Sequence, residues 1–411
     1  MAPKTVSLTT LVRTMHIAGL SEWPGLHQRP ERYAVWVSRP LRGVLPADLA
    51  DVLPAALDGT GPAVAVGADS GLSVPDEVAL VVRTSGSTGE PRDVMLTAAA
   101  LQASAQASAQ RLAGSGTWLL AVPVTSIAGV NVLVRSLLAG TVPVVVHGPF
   151  RPQTFAAAAA RTDGPSYCSL VPTQLLRLLD DPEATQALGR FSAVLVGGAG
   201  LAPQLHARAR DAGVNVVTTY GATETCGGAV YDGRPLDGVD VAVVDGRVQV
   251  AGPVLAHGYL GRPDLDAQVF VERAGRRWFV TSDLGRWADR LQVLGRADDM
   301  IVTGGVNVAP GPVETALVEL ATVREAVVVG VDDPHWGQAV SAVIVPGCDD
   351  PPTLDDLRAH IAARLGPTSA PRRLVVVDAL PVLGPGKPDR RAAAGLVATD
   401  ACQTMSRGDS S

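Results

Sequence analysis

A loop rich in hydroxyl groups is the strongest chemical signal in the sequence. It consists of Thr84, Ser85, Gly86, Ser87, Thr88 and Gly89, and Arg92 follows it. Hydroxyl donors and a glycine backbone that permits close approach are the means by which loops hold phosphate groups. The spacing is not that of a Walker loop. Because an apolar run precedes the loop and a helical pattern follows it, we predict a phosphate-binding loop, with a flexible surface turn as the alternative.

A second motif contains Tyr220, Gly221, Thr223 and Glu224 and directly follows an apolar run at 214–218. Ligands of α/β proteins bind beyond the carboxyl ends of parallel strands. At such a place an aromatic ring can lie on a base, a hydroxyl can bind phosphate and a carboxylate can hold Mg²⁺. We therefore predict nucleotide contacts here, with an ordinary loop as the alternative.

Two acidic segments follow further along the chain. Asp283 lies in the segment TSDLG, and Arg296 and Asp298 lie in the segment GRADDM. A carboxylate such as that of Asp283 can accept hydrogen bonds from two ribose hydroxyls, as acidic residues do in dinucleotide sites. The composition changes near Asp298, which predicts a junction between two units of structure. A solvated turn is the alternative for each segment.

Lysine is rare in this chain, which makes its position informative. Of the 34 basic residues only Lys4 and Lys387 are lysines, so 32 are arginines. Gly384, Gly386 and Pro388 flank the second lysine and predict a presented loop. A lysine there is a compact charge on a flexible stem that can reach a phosphate or a reacting carboxylate. We predict that Lys387 is catalytic, the alternative being chance retention of a lysine.

Alternating strands and helices are expected to position these residues. Short apolar runs predict strands at 33–38, 63–66, 78–83, 118–122, 142–146, 193–196 and 214–218. Helical patterns lie at 46–53 (closed by Pro54), 97–112, 129–139, 155–161, 172–179 and 203–212. This alternation predicts an α/β fold with a mainly parallel sheet. Residues 239–294 read instead as short strands with tight turns and predict a β-rich subdomain.

A smaller α+β unit is expected after Arg296. Its pattern is strand 300–302, helix 312–319, strands 326–331 and 339–345, helix 353–365 and strand 373–377. We predict a large α/β domain at 1–297, a small mobile domain at 298–402 that carries Lys387, and a disordered tail at 403–411.

Composition excludes several classes of function. The chain is 47% hydrophobic and 18% charged, with a net charge of −6, so a large core is expected and a nucleic-acid footprint is not. We find neither a membrane-length apolar run nor a signal peptide. The four cysteines are scattered without metal spacing, which predicts a reducing, cytoplasmic location. The oligomeric state is left open, with a homodimer as one alternative.

Five segments, in this order, resemble those of the acyl-adenylate-forming family of acyl-CoA ligases, adenylation domains and luciferase-like enzymes. They are TSGSTGEPR, YGATET, TSDLG, GRADDMIVTGG and GPGKPDR, and they span residues 84–390. The resemblance implies two half-reactions. A carboxylate attacks the α-phosphate of ATP, with Mg²⁺ bound, to give acyl-AMP and pyrophosphate, and the thiol of coenzyme A then attacks the acyl-AMP.

The resemblance also implies a role for each matching residue. The phosphate loop is residues 84–89 with Arg92, and the adenine pocket is Gly198, Ala199, Gly200, Tyr220 and Gly221. Thr223 contacts phosphate, Glu224 holds Mg²⁺, and Asp283 with Arg296 binds the ribose. Asp298 is the hinge of the small domain, Lys387 bridges carboxylate and phosphate during adenylation, and Gly304 and Gly305 line the pantetheine path.

The segment VPVTSIAGVNVLVRS at 122–136 resembles that of compact, Arg- and Ala-rich o-succinylbenzoate–CoA ligases of menaquinone synthesis, which are typical of actinobacteria. We accordingly assign Ser126, Arg135 and Gly197 to the acyl substrate. Two positions depart from the pattern. Arg92-Asp93 replaces Lys-Gly, and Val124-Thr125-Ser126 stand where that branch has a histidine two or three residues before the Ile-Ala-Gly step. Two alternative functions stay open. One is an enzyme that adenylates another aryl or aliphatic acid and loads it onto a carrier protein. The other is a non-enzymatic nucleotide-binding protein.

Overall fold

The computed structural model describes residues 38–66, 71–84, 91–112, 114–383 and 387–408, without the side chains of 383, 387 and 400–408. The α-helices are α1 Leu49–Leu57, α2 Ala98–Arg111, α3 Ile127–Leu138, α4 Pro152–Ala159, α5 Pro172–Leu179, α6 Pro182–Leu188, α7 Pro203–Asp211, α8 Pro263–Val269, α9 Pro310–Leu317, α10 Leu354–Leu365 and α11 Arg390–Gly408. Within the described residues, no helix is long and apolar enough to cross a bilayer.

The strands up to residue 259 are β1 Ser38–Val44, β2 Ala63–Val66, β3 Ser73–Pro75, β4 Val78–Thr84, β5 Arg92–Thr97, β6 Thr117–Leu120, β7 Val144–Val145, β8 Ser166–Leu170, β9 Ala193–Val196, β10 Val216–Ala222, β11 Gly227–Tyr231, β12 Arg234–Pro235, β13 Asp240–Val244, β14 Arg247–Ala251 and β15 Gly258–Tyr259. The later ones are β16 Phe270–Arg273, β17 Arg276–Trp287, β18 Leu291–Arg296, β19 Ile301–Thr303, β20 Val306–Val308, β21 Val323–Asp333, β22 Gly337–Pro346, β23 Arg373–Val376, β24 Val382–Leu383 and β25 Lys387–Pro388.

Two sheets enclose the helix pair α2 and α3. The first sheet has the order β15-β5-β4-β2-β1-β3 and the second has the order β12-β11-β10-β9-β8-β6-β7. Leu101 and Val134 of the two helices join the core of the first sheet, whereas Val132 joins the core of the second. A helix pair that is apolar on both sides is stable only between two such faces. The α/β prediction is thereby confirmed.

The strand directions are more mixed than expected. In the second sheet, β7, β6, β8, β9 and β10 are parallel, but β11 and β12 run antiparallel. In the first sheet only β1, β2 and β4 are parallel to one another. The difference arises because β4 and β5 form an antiparallel hairpin, so the predicted phosphate loop connects two strands rather than a strand and a helix.

The predicted β-rich subdomain is a third sheet, with the order β13-β14-β17-β16 and with β18 paired to β17. Asp245 and Gly246 connect β13 to β14 with φ values of 50° and 77°. Consecutive left-handed residues produce the tight turn that suits the twist of a two-residue hairpin. Strand β17 carries the predicted ribose-binding residue Asp283.

The fourth sheet has the order β20-β19-β22-β21, with β23 beside β22. Helices α9 and α10 cover one face through residues such as Leu317 and Ile361. Helix α11 covers the other face through Ala393 and Val397. This is the small α+β unit that the sequence predicted, and we retain the boundary near Asp298 as a proposal.

Two local predictions need correction. Pro54 lies inside α1 rather than closing it. Leu53 and Leu57 pack this short helix against the first sheet, and the free energy of their burial exceeds the cost of one lost backbone hydrogen bond. Helix α11 continues to Gly408, six residues into the tail expected to be disordered, because extending a formed helix costs little. Of the predicted strand at 33–38, residues 33–37 lie outside the described residues, and position 38 begins β1.

Candidate active site

The segment after β10 forms a tight turn at the end of the second sheet. Strand β10 continues through Tyr220 to Ala222, further than predicted, with a register shift between Tyr220 and Gly221. Residues 223–225 then form a single 3₁₀ turn. The hydroxyl of Thr225 accepts from the Ala222 nitrogen at 2.9 Å and donates to the Gly227 oxygen at 2.7 Å. This hydroxyl closes the turn and presents Thr223 and Glu224.

The carboxylate of Glu224 is held in a buried position. Glu224 is 8% exposed, and the Tyr259 hydroxyl donates to its Oε1 at 2.7 Å. The backbone nitrogen of Ala256 donates to the Glu224 carbonyl at 2.8 Å. Burial, and next the charge of Glu224, raise the pKa of Tyr259. Tyr259 is therefore a neutral donor that fixes one carboxylate oxygen of Glu224.

The segment that supplies Ala256 is itself tied to the third sheet. Arg277 on β17 donates to the Ala256 oxygen at 2.6 Å and to the His257 oxygen at 2.7 Å. Its guanidinium also lies 4.0 Å from the centroid of the Phe270 ring. Arg277 thus links the third sheet to the backbone that holds Glu224.

The basic residue of the phosphate motif lies on the same side of the molecule as Tyr259. Arg92 opens β5, and its guanidinium carbon lies 5.8 Å from the centroid of the Tyr259 ring. Asp93, which departs from the family pattern, forms two 2.8 Å hydrogen bonds with Arg83 across the hairpin. The additional carboxylate is therefore paired, so it adds no free negative charge beside Arg92.

A second cluster joins β10 to the hairpin of β17 and β18. The Tyr220 hydroxyl donates to Asp283 Oδ2 at 2.8 Å. Burial, and next the charge of Asp283, raise the pKa of Tyr220. Arg296 is the β-ladder partner of Asp283 and lies 4.0 Å from it, and its other amino group donates to Asp298 at 3.1 Å. One guanidinium thus bridges the predicted ribose carboxylate and the predicted hinge.

The predicted adenine-side segment follows β9, the neighbour of β10. Gly198 has a φ of +81°, and Gly198, Ala199 and Gly200 are exposed. Gly197 packs so closely on Thr219 of β10 that a Cβ at 197 would overlap the threonine hydroxyl. The segment therefore lies beside the strand that carries Tyr220, and its role in an adenine pocket stays a prediction.

Several predicted residues cannot be placed with the others. Ser85, Gly86, Ser87, Thr88 and Gly89 lie outside the described residues, and so does the side chain of Lys387. The backbone of Lys387 pairs with Leu383 in the β24–β25 hairpin. Gly304 and Gly305, with φ values of 57° and 78°, form the turn between β19 and β20. Their roles stay predictions.

The two polar residues assigned to the acyl substrate have structural partners. The Ser126 hydroxyl donates to the Pro123 oxygen at 2.7 Å and accepts from the Gly129 nitrogen at 3.3 Å, which caps α3. Arg135 is 7% exposed and donates to the Tyr231 hydroxyl at 3.0 Å. Its guanidinium lies 4.7 Å from the Trp118 ring centroid, and no carboxylate of the described residues pairs with it.

Sequence reasoning missed Tyr259, Thr225 and Arg277. Tyr259 lies 35 residues from Glu224, in a two-residue strand that belongs to a different sheet. Nothing in the local sequence pairs these two positions. Thr225 lies two residues before Gly227-Gly228, and a threonine hydroxyl ahead of glycines is a signal that could have identified the turn.

Comparison with known proteins identifies the class. The AMP-binding enzyme family matches residues 39–260, and the AMP-binding enzyme C-terminal domain matches residues 312–387. A probable 2-succinylbenzoate–CoA ligase of Mycobacterium tuberculosis is 49% identical over 343 residues, which cover 81% of this chain and 88% of that protein.

Solved structures agree with this result. The o-succinylbenzoate CoA synthetase of Bacillus subtilis, in complex with its acyl-adenylate intermediate, superposes with a TM-score of 0.69 at 25% identity, covering 86% of this chain and 82% of the other. An amide bond synthetase of Marinactinospora thermotolerans superposes with a TM-score of 0.71 at 26% identity, covering 87% and 80%. This chain belongs to the AMP-binding enzyme family.

Proposed function

We propose that the protein is an ATP-dependent 2-succinylbenzoate–CoA ligase of menaquinone synthesis. It joins the acid to AMP with release of pyrophosphate and then transfers the acyl group to the thiol of coenzyme A. The observation that carries the adenylation step is that β10 and the turn after it hold both Tyr220, which binds Asp283, and Glu224, which Tyr259 binds. The choice of acid is supported by the 49% identity to the mycobacterial ligase.

The residues present suit a magnesium ion that enters together with the nucleotide. Among the described residues, no three acidic, histidine or cysteine side chains group into a metal site of their own. Mg²⁺ in nucleotide sites is bound by one or two carboxylates together with substrate phosphates and water. Glu224 fits this requirement because Tyr259 fixes one of its oxygens. When bound, the ion would neutralise charge on the phosphates.

The other residues bind and orient the nucleotide. Asp283 accepts from the ribose hydroxyls while Arg296 and Tyr220 hold its carboxylate in place. The Thr223 hydroxyl, which has no hydrogen-bond partner among the described residues, and the Arg92 guanidinium are directed at phosphate. Orientation of two reactants in this way converts a bimolecular encounter into an effectively intramolecular reaction.

The catalytic lysine and the acceptor path belong to the small unit. Lys387 neutralises charge that builds between the attacking carboxylate and the α-phosphate. Rotation of the small unit about Asp298 then replaces Lys387 with the Gly304–Gly305 turn, which admits the thiol of coenzyme A. In this proposal Arg135, Ser126 and Gly197 complete the acyl pocket. The cytoplasmic location stays a prediction, and the oligomeric state stays open, with a homodimer as one alternative.

Acid-dependent ATP–pyrophosphate exchange tests the first half-reaction. We expect exchange with 2-succinylbenzoate and much less with benzoate or fatty acids. Acyl-CoA formation, compared with loading of a phosphopantetheinylated carrier protein, tests the second half-reaction. Exchange with a different acid would keep the adenylation mechanism and change the substrate. Absence of exchange with every acid of a broad panel would contradict the enzymatic proposal.

A further inference from the structure

The turn that follows Glu224 has an unusual backbone. Cys226 has a φ of 49° and Gly227 has a φ of 90°, so two consecutive residues are left-handed. Left-handed backbone at a residue with a side chain costs free energy that the surroundings must supply. Such residues gather at functional sites, and Cys226 lies two positions after Glu224. The contacts that hold Cys226 in this conformation therefore bear on the carboxylate.

Two buried side chains donate to the carbonyl oxygen of Cys226. The Ser104 hydroxyl on α2 lies 3.0 Å from it, and the Asn131 amide nitrogen on α3 lies 2.8 Å from it. Ser104 is 0% exposed and Asn131 is 2% exposed. A carbonyl only accepts hydrogen bonds, so the nitrogen of the Asn131 amide must face it.

The orientation of Asn131 has a cost and a consequence. Its Oδ1 is buried and has no hydrogen-bond partner among the described residues. Its nitrogen occupies the space that a Cβ at position 227 would need, which accounts for the glycine there. A buried acceptor left without a partner lowers stability. The Asn131 amide therefore donates to the Cys226 carbonyl while its own oxygen is left without a hydrogen bond.

The same two helices repeat this arrangement one turn further along. Ser108 lies 2.8 Å from the Tyr231 hydroxyl, and Arg135 donates to that hydroxyl at 3.0 Å. Tyr231 ends β11, whereas Gly227 begins it. We call Ser104 and Asn131 the front pair and Ser108 and Arg135 the rear pair. The two pairs hold opposite ends of strand β11. Only the front pair contacts the turn that carries Glu224.

We infer that Ser104 and Asn131 are positioning residues for the magnesium-binding carboxylate of Glu224. They act through the Cys226 carbonyl, which fixes the left-handed backbone and hence the direction of the turn. Tyr259 and the Ala256 nitrogen hold Glu224 from the other side. This inference rests on the proposed function, because it concerns the carboxylate that we assign to Mg²⁺.

Calorimetric titration of ATP at a series of Mg²⁺ concentrations, without any acid, tests the inference. Ser104→Ala and Ser108→Ala form a matched pair, since both serines are 0% exposed and both lie on α2.

We expect the half-saturating Mg²⁺ concentration to rise about threefold to tenfold in Ser104→Ala, the range for one lost hydrogen bond. The near-isosteric Asn131→Leu should shift it in the same direction. Ser108→Ala should change it less than about twofold while lowering the melting temperature comparably.

Equal shifts in Ser104→Ala and Ser108→Ala would overturn the inference, and so would a magnesium dependence that neither Ser104→Ala nor Asn131→Leu alters. Either result would leave the proposed function intact. Failure of the native protein to bind ATP in a magnesium-dependent manner would instead contradict the proposed function, and the inference would fall with it.

Discussion

Hydrogen bonds between residues that are distant in sequence define the chemistry at the smallest scale. Tyr259 fixes one oxygen of Glu224, and Tyr220 fixes one oxygen of Asp283. Both hydroxyls are neutral donors because burial raises their pKa. A hydrogen bond to a charged group contributes about 1.5–3 kcal/mol. Each tyrosine can therefore hold its carboxylate in one orientation before the nucleotide arrives.

Tyr259→Phe should weaken magnesium-dependent ATP binding by about tenfold, ~1.4 kcal/mol, because Glu224 loses the donor that orients it. The measurement is ATP affinity at limiting Mg²⁺. Tyr167→Phe is the matched control, since the partners of that buried hydroxyl in the described part of the chain are the Leu112 and Gly114 carbonyls. If the control weakened ATP binding as much as Tyr259→Phe, the assignment of Tyr259 to Glu224 would be wrong.

Arg135 bears on substrate choice. Its side chain is 7% exposed, and within the described residues it forms no ion pair with a protein carboxylate. A buried charge without a counter-charge is costly, so Arg135→Leu should leave the melting temperature unchanged or higher.

The same Arg135→Leu variant should weaken use of 2-succinylbenzoate by about 2–5 kcal/mol in kcat/KM, the range for removing a partner of a buried charge. Activity on a simple benzoate, where detectable, should not fall in parallel. Tyr231→Phe keeps the charge of Arg135 and removes the hydroxyl that holds it. Comparison of the two variants therefore distinguishes an effect of the charge from an effect of its position. Unchanged KM and kcat for 2-succinylbenzoate in a folded Arg135→Leu variant would exclude the role.

At the scale of elements, one short segment connects the ribose site to the small unit. Strand β18 ends at Arg296, and a 3₁₀ turn of three residues leads into β19. Arg296 binds Asp298 in that turn, and Arg390, which lies three residues after Lys387, pairs with Asp299 at 3.1 Å. Arg390 also binds the Glu314 carboxylate and the Val328 carbonyl. The turn is therefore held from both sides in this conformation.

Asp298→Pro should separate the two half-reactions. Proline fixes φ near −65°, so a pivot that must change its dihedrals would be restricted to one state. We expect one half-reaction to be retained and the other to fall by about tenfold or more. Asp298→Ala is the control, because it removes the contact with Arg296 but leaves φ free. Full turnover by Asp298→Pro with both half-reactions intact would exclude the hinge.

At the scale of the whole molecule, the proposed mechanism divides the work between two arrangements of the small unit. Lys387→Ala should lower adenylation by about 10²–10³-fold, ~3–4 kcal/mol, the loss expected for one electrostatic stabiliser. Attack of coenzyme A on preformed acyl-AMP should be largely preserved, since the lysine has then moved away. Lys387→Arg tests whether charge alone is sufficient. An equal loss in both half-reactions would contradict the division.

The local pattern of residues in the sequence predicted many of the strands and helices and the motifs of the candidate site. The apolar runs at 63–66 and 193–196 and the helix at 172–179 coincide with β2, β9 and α5. Motif order and spacing pointed to the family and to Glu224, Asp283 and Arg296. These features are carried by residues adjacent in sequence, so periodicity and residue type are enough to find them.

Only the tertiary structure decided which distant groups meet. It placed Tyr259 on Glu224, paired Asp93 with Arg83 across a hairpin, and set Ser104 and Asn131 on the Cys226 carbonyl. It also turned the segment after the phosphate loop into β5, because Leu96 is buried in the core of the first sheet. Such contacts join residues from 10 to 122 positions apart. They depend on how sheets and helices pack, which no local pattern of residues encodes.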